Sequence, residues 1–295
     1  MARELIFTIQ PEEIHRKVQS ILRSRGVSRR LLVQLKAAPG GILCNGVAIR
    51  AVDTAAPGDV LLIRLPEDAA PPENMPYPLD ILYEDDDILV INKPAGLAMH
   101  PTHNIRGVTL ANAVAAHLAA KGTPAAFRAV GRLDKGTSGL VLCALHSFAA
   151  FRLTGRAQKT YFALAHGAYR GSGSFCGAIY RPKPNCTLRA CRPEGMALQP
   201  GDAAATTHWE CLRCADGISY LRIWLETGRT HQIRAHFAGN GTPLLGDDYY
   251  GAPPGPGGRP FLHCGALEFP HPTTGEALRF TAPLPEDMAA IVKNM

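Results

Sequence analysis

Within a chain of 295 residues, the stretch Ala129–Leu145, AVGRLDKGTSGLVLCAL, gathers side chains fit for chemistry. Asp134 stands between Arg132 and Lys135. Opposite charge within a few ångströms keeps a carboxylate ionised. Gly136 and Gly139 flank Thr137 and Ser138, and glycine lets backbone approach a ligand closely. The apolar run Leu140–Leu145 follows. A charged turn entering a buried strand explains the same spacing without chemistry, because ionisable groups with charged neighbours mark sites only statistically.

Two further stretches offer polar groups in order. Leu225–His236, LETGRTHQIRAH, reads as a strand passing through a glycine turn into a helix. That order puts exposed N–H groups and Arg229 at a helix start, which favours an anion. Its two histidines are not in an HExxH pattern, so metalloprotease chemistry is not expected. Lys159–Leu164 reads as a strand with Tyr161 as its polar-tipped aromatic. There is no P-loop, no dinucleotide fingerprint and no GxSxG elbow.

Metal sites are not expected either. Of the eight cysteines, Cys211 and Cys214 form one CxxC with His208 upstream, and no second pair completes a zinc set. Without an export signal the cysteines are expected to be reduced. The acidic run Glu84–Asp87 lacks the spaced ligands of a calcium loop and is expected to be a solvated hairpin turn.

These groups must be held by a substantial core. Hydrophobic residues make up 46% and charged residues 19%, the balance of a globular chain. No apolar run reaches the length of a membrane span, and the N-terminus has no signal-type core, so a cytoplasmic protein is expected. Ile81–Tyr83, Ile88–Asn92 and Ile218–Leu225 read as strands, and Thr109–Ala120 and Ser147–Arg156 as helices. Residues 67–78, EDAAPPENMPYP, carry four prolines and no periodicity, which marks a linker. It separates a small domain, 1–66, from a large one, 79–295, and should let the small one reorient.

The small domain carries the charge. Residues 1–66 hold 10 Lys and Arg against 5 Asp and Glu, while the whole chain is only +6. Residues 11–25 show a helical apolar stripe of Ile14, Val18, Ile21 and Leu22, and Ser28 is placed to cap a second helix. Between Ile14 and Val52 there is no acid, and Arg16, Lys17, Arg23, Arg25, Arg29, Arg30 and Lys36 lie on the two helices and their turn. Such a surface suits phosphates. A hairpin around Asn45-Gly46 and a turn at Pro57-Gly58-Asp59 follow. The layout GVSRRLLVQLK, GGILCNGVAI, AAPGDVLLI resembles the RNA-binding domain typified by ribosomal protein S four. Membrane binding competes less well, because a small domain needs its apolar face for its own core.

The segments NKPAGLAMHP, GRLDKGTSGL, QKTYFAL, TGRTHQIRAH, GTPLLGDDYYG and LHCGALEFPHPTTGE, in that order, resemble the RluA-type family of RNA pseudouridine synthases over about residues 79–290. The resemblance implies an α+β fold: a mixed, mainly antiparallel central sheet with flanking helices and a central cleft. With it goes the small N-terminal α/β RNA-binding domain. It also implies Asp134 as the catalytic aspartate, Tyr161 as the tyrosine of the KxY motif, and Arg229 as the arginine that pairs with the aspartate, with Arg234 as second choice. Arg132 matches an arginine that in some members fills the space of a flipped base. Arg132 and Arg234, together with Arg16, Lys17, Arg25, Arg29, Arg30 and Lys36, are the expected RNA contacts. Gly131 departs from the family, which usually has His before RLD.

Isomerising uridine to pseudouridine involves no redox change, so no cofactor and no metal are expected. The expected partner is RNA, large-subunit ribosomal RNA ahead of transfer RNA, and not a membrane. The alternative from another class is a catalytically silent RNA-binding or ribosome-assembly factor on the same fold. The joint presence of Asp134, Tyr161 and Arg229 argues against it.

Overall fold

A computed structural model describes residues 3–66, 71–102, 105, 107–123, 125–184, 186–253 and 258–295; the expected linker therefore lies partly outside the described residues. The N-terminal part is a four-stranded antiparallel sheet with two helices. Its elements are β1 (Glu4–Thr8), α1 (Val18–Ser24), α2 (Arg29–Ala37), β2 (Ile42–Cys44), β3 (Val47–Ala48) and β4 (Val60–Arg64), with strand order β1-β4-β2-β3. Asn45 and Gly46 take the positive φ angles of 49° and 83° that a tight hairpin turn between β2 and β3 requires. Ser28 caps α2 by accepting from the Leu31 N–H. Val18, Ile21, Leu22, Leu31, Leu32 and Leu35 turn inward to close the core.

The single helix expected over 11–25 is two pieces. A short 3-10 turn covers Pro11–Glu13, His15 takes a left-handed φ of 63°, and α1 starts only at Val18. The cause is Glu13, which is buried, accepts from the Gln10 N–H and binds Arg25 at 2.7 Å.

The larger part is built on one ten-stranded sheet. Its first strands and helices are β5 (Asp80–Glu84), β6 (Ile88–Lys93), α3 (Leu110–Ala120), β7 (Arg128–Ala129), β8 (Ser138–Ala144), α4 (Ser147–Leu153) and β9 (Gln158–His166). Then come β10 (Ser172–Cys176), a short side hairpin of β11 (Ile179–Tyr180) and β12 (Ala190–Cys191), β13 (Thr206–Ala215), β14 (Ile218–Leu225) and α5 (Gln232–Gly239). The chain closes with β15 (Leu262–Pro270), β16 (Ala277–Thr281) and α6 (Glu286–Asn294). The spatial order is β10-β13-β14-β9-β15-β8-β6-β5, with β16 beside β15 and β7 beside β8. Every pairing is antiparallel except β8 with β15. This is the mixed, mainly antiparallel α+β sheet expected from the motifs.

Strand β8 is buried along its whole length, as its unbroken apolar run requires. Helix α3 starts at Thr109, whose hydroxyl accepts from Asn112 N–H while Asn112 returns the bond. The acidic turn is more than a solvated hairpin. Asp87 is buried; it receives Arg3 from the N-terminal part and His146 at 2.7 Å, and His271 lies 3.5 Å away. Among the described residues, no helix is long and apolar enough to cross a membrane.

Candidate active site

Asp134 sits in the loop between β7 and β8, half-buried in a cleft across the sheet. The Thr137 N–H donates to its carbonyl at 3.1 Å and tightens the turn into β8. Gly136 and Gly139 are spent on protein rather than on a ligand. A Cβ on Gly139, at φ +107°, would lie 2.2 Å from the Cys264 carbonyl, and one on Gly136 would lie 2.9 Å from the Pro260 ring. The glycines let β8 run directly beside β15, and that contact sets where Asp134 emerges.

The guanidinium beside Asp134 belongs to Arg234, not to Arg229. Arg234 Nη1 donates to Asp134 Oδ2 at 3.2 Å. Arg229 instead remains exposed, with its Nε turned to the Ala204 carbonyl at 3.3 Å. The physical reason is where the helix starts. His231 takes a left-handed φ of 57°, so α5 begins at Gln232 and its first turn points Arg234 inward. Arg229 is left in the preceding turn. That turn is fixed by Gln232, whose buried side chain accepts from Thr227 Oγ1 and the Arg229 N–H and donates to the Thr206 carbonyl.

Arg234 is buried and its strongest partner is Asp247, bound through two parallel hydrogen bonds of 2.7 and 2.8 Å. Burial works against its charge, but the two carboxylates outweigh burial and hold it ionised. Its guanidinium lies 4.9 Å from the centre of the Tyr250 ring. Arg234 is therefore part of the centre and is not available as an outer RNA contact. Arg25, another expected contact, is likewise committed to Glu13.

A second group faces Asp134. His231 Nε2 lies 3.8 Å from Asp134 Oδ2. Tyr250 Oη accepts from the Arg189 N–H at 3.1 Å and stands 3.0 Å from His231 Nδ1. The phenol oxygen can donate to Nδ1 or accept from it, and the Nε2 edge of the ring faces the carboxylate. Burial lowers the His231 pKa against the pull of Asp134, which keeps the ring neutral near pH 7.

Tyr161, in β9, is buried against the core and lines the same cleft. Burial, then Cys264 and Asp134, push its phenol well above the ordinary range, so it is protonated. Lys159, two residues earlier on the same strand face, has its Nζ buried without a hydrogen-bond partner among the described residues. Burial lowers its pKa. Gly131 lies at φ +77°, in the left-handed region that favours glycine, and the tip of Lys159 stands 3.0 Å from where a Cβ would be.

Lys93 is fully buried below the Asp134 loop. Its Nζ donates to the carbonyls of Pro94 and Leu97 at 2.9 Å and approaches that of Lys135 at 3.4 Å. Burial brings its pKa down to about 7 against the pull of Asp134, with Arg259 adding to the fall.

The cleft measures about 1040 Å³, and its walls include Gly131, Arg132, Asp134, Tyr161, Trp224 and Arg229. Arg132 stands exposed at its rim. On the N-terminal part, Lys17, Arg29 and Arg30 are exposed, Arg16 reaches Ser24 Oγ at 3.3 Å, and Lys36 binds Gln19 Oε1 at 3.0 Å. The motifs singled out Asp134 and Tyr161. They missed Asp247, His231, Tyr250 and Gln232 as partners, although all four lie within GRTHQIR or LLGDDYYG.

A family model described as RNA pseudouridylate synthase matches residues 87–239. A Bacillus subtilis (strain 168) protein described as the uncharacterized RNA pseudouridine synthase YjbO is 36% identical over 277 residues, covering 91% of this chain and 95% of that protein. Ribosomal large subunit pseudouridine synthase D of Vibrio parahaemolyticus is 36% identical, covering 87% and 83%. Among solved structures, human RNA Pseudouridylate Synthase Domain Containing 4 superposes with a TM-score of 0.59 at 21% identity. That superposition covers 72% of this chain and 91% of the human one, and shows a shared fold.

Proposed function

We infer, for a chain that belongs to the RNA pseudouridylate synthase family and so isomerises uridine to pseudouridine in RNA, that Asp134 is the reacting carboxylate and large-subunit ribosomal RNA the substrate. The observation that carries the first part is the Asp134–Arg234–Asp247 chain of bonds. Two carboxylates share one guanidinium, and the better bonds go to Asp247. Asp134 is thereby aimed by a single 3.2 Å bond without being fully neutralised, which leaves its lone pairs for substrate.

The reaction breaks the bond from N1 of uracil to C1′ of ribose, turns the base and joins C5 to C1′; C5 gives its proton to solvent and N1, freed of the sugar, takes one up, so that no atom is gained or lost. Attack by Asp134 on the sugar or the base, or proton abstraction from the sugar, uses the same carboxylate. Tyr161 packs its ring against the base, and its phenol hydroxyl relays the C5 proton. The uridine must leave its stack to reach them, at a cost of a few kcal/mol. Arg132 and Arg229, exposed at the cleft, bind the phosphates around it. Lys17, Arg29 and Arg30 on the N-terminal helices extend that contact, in the manner of the S four-type domain their layout resembles, and lower the net cost of flipping. A ribosomal substrate is supported by the similarity to the Vibrio enzyme and makes the cytoplasm the place of action.

The test is Asp134→Asn. Carbodiimide labelling and reverse transcription of ribosomal RNA should show one or more pseudouridines lost in a strain carrying only that variant, while purified Asp134→Asn still binds RNA. Full modification by the variant would refute the assignment.

A further inference from the structure

We propose that Trp224 is a stacking platform for a nucleobase of single-stranded RNA next to the uridine that enters the Asp134 site. The proposal rests on the reading of that site as an RNA uridine isomerase. Trp224 is the penultimate residue of β14, on the face opposite the core residues Leu221 and Ile223. It is 40% exposed, whereas Trp209 is enclosed by Tyr169 and Phe175. Leaving an indole open to water forfeits hydrophobic stabilisation that the adjoining strands obtain.

The ring is nonetheless held firmly. His208, its register partner on β13, stacks against it with centroids 5.4 Å apart and planes 18° from parallel. Glu226 fixes His208 in turn through Nε2 at 2.8 Å. On the other side the register partner is Thr160 of β9, too small to cover an indole. One face is thus backed and the other is open.

Trp224 lines the same cavity as Asp134 and Tyr161, and that cavity, at about 1040 Å³, exceeds what one nucleoside fills. Extruding a uridine strips its neighbour of a stacking partner. A fixed aromatic face lining the same cleft replaces that partner, and Arg229, which also lines it, suits a phosphate of the strand. Every base has a π-face, so such a site holds the strand without reading its sequence.

The probes are a fluorescein-labelled single-stranded oligouridylate and the same strand with abasic positions flanking a central uridine. Binding to the full-length chain is followed by anisotropy. Trp224→Ala should weaken oligouridylate binding about tenfold, and Trp224→Phe should retain most of it. Trp224→Leu should behave like Ala, which separates stacking from apolar contact. The abasic strand should bind the wild type about as weakly as oligouridylate binds Trp224→Ala, with no further loss when both changes are combined. The slope of affinity against salt should stay constant, because stacking releases no counterions. Unchanged binding by Trp224→Ala, equal binding by the Leu and Phe variants, or a loss accompanied by a shallower salt slope would overturn the proposal. These readouts need no turnover, so an inactive enzyme would refute the isomerase reading and leave the Trp224 result to stand or fall separately.

Discussion

At Asp134 the charge balance is unusual: two acids, Asp134 and Asp247, face one buried guanidinium. His231 turns its Nε2 edge to the freer acid, and its left-handed backbone is a cost that a binding or catalytic role can justify. The ring is too far for a hydrogen bond in the free protein, and such contacts tighten when substrate is seated. His231→Gln carries an amide close to where Nε2 stands, and kcat should stay near wild type. His231→Ala should lower kcat about a hundredfold with KM little changed. Single-turnover assays of the two variants on a ribosomal RNA transcript check this; equal losses in both would remove His231 from the reaction.

The elements around the site depend on one close approach. Strands β8 and β15 run parallel at Ser138–Gly139 and His263–Cys264, with no room for a Cβ at position 139. Gly139→Ala should therefore cost more than about 4 kcal/mol and prevent native folding. Gly122→Ala, at φ +72° with open space around it, is the matched control and should cost only about 1–2 kcal/mol. Chemical denaturation of the two purified variants distinguishes them. Helix α5 shows the converse, an element placed by polar groups. Gln232 and His236 both bond to Thr207 Oγ1, at 3.1 and 2.8 Å, locking the helix to β13.

In the whole molecule, the tether suggested a freely swinging N-terminal domain, and the structure docks it. Phe148 of α4 joins the N-terminal core and meets Phe7 edge-on. Arg152 packs against Gly26, and Arg3 binds Asp87. Burial raises the Asp87 pKa, but hydrogen bonds from His146 and Thr273 and the charge of Arg3 pull it below the ordinary carboxylate range. A carboxyl with a depressed folded pKa stabilises above its unfolded value of about 3.9 and loses that contribution as pH falls through the folded value. Small-angle scattering should thus show a larger radius of gyration below about pH 4, and Arg3→Ala should show a similar opening at neutral pH. Identical curves for Arg3→Ala and wild type would mean that the apolar contact alone holds the dock. With the domain docked, Arg29→Gln combined with Arg30→Gln should reduce the salt slope of RNA binding by about one per arginine.

What could be read from the chain alone was local or repeated in kind. The Asn45-Gly46 hairpin, the Ser28 cap, the apolar run of β8 and the order of the RLD, KTY and GRTHQIR motifs are patterns of neighbouring residues, and neighbours are visible in a sequence. Through the motifs, the resemblance implied the mainly antiparallel sheet, which the structure has, and Asp134 as the candidate catalytic residue. The tertiary structure alone decided pairings across long separations. Arg234 rather than Arg229 faces Asp134, because one left-handed residue, His231, resets the helical phase. Asp247 claims the same guanidinium from thirteen residues away, and Gly139 answers to Cys264 on another strand. A contact between distant residues depends on the angle at which each element leaves its turn, and no local pattern encodes that angle.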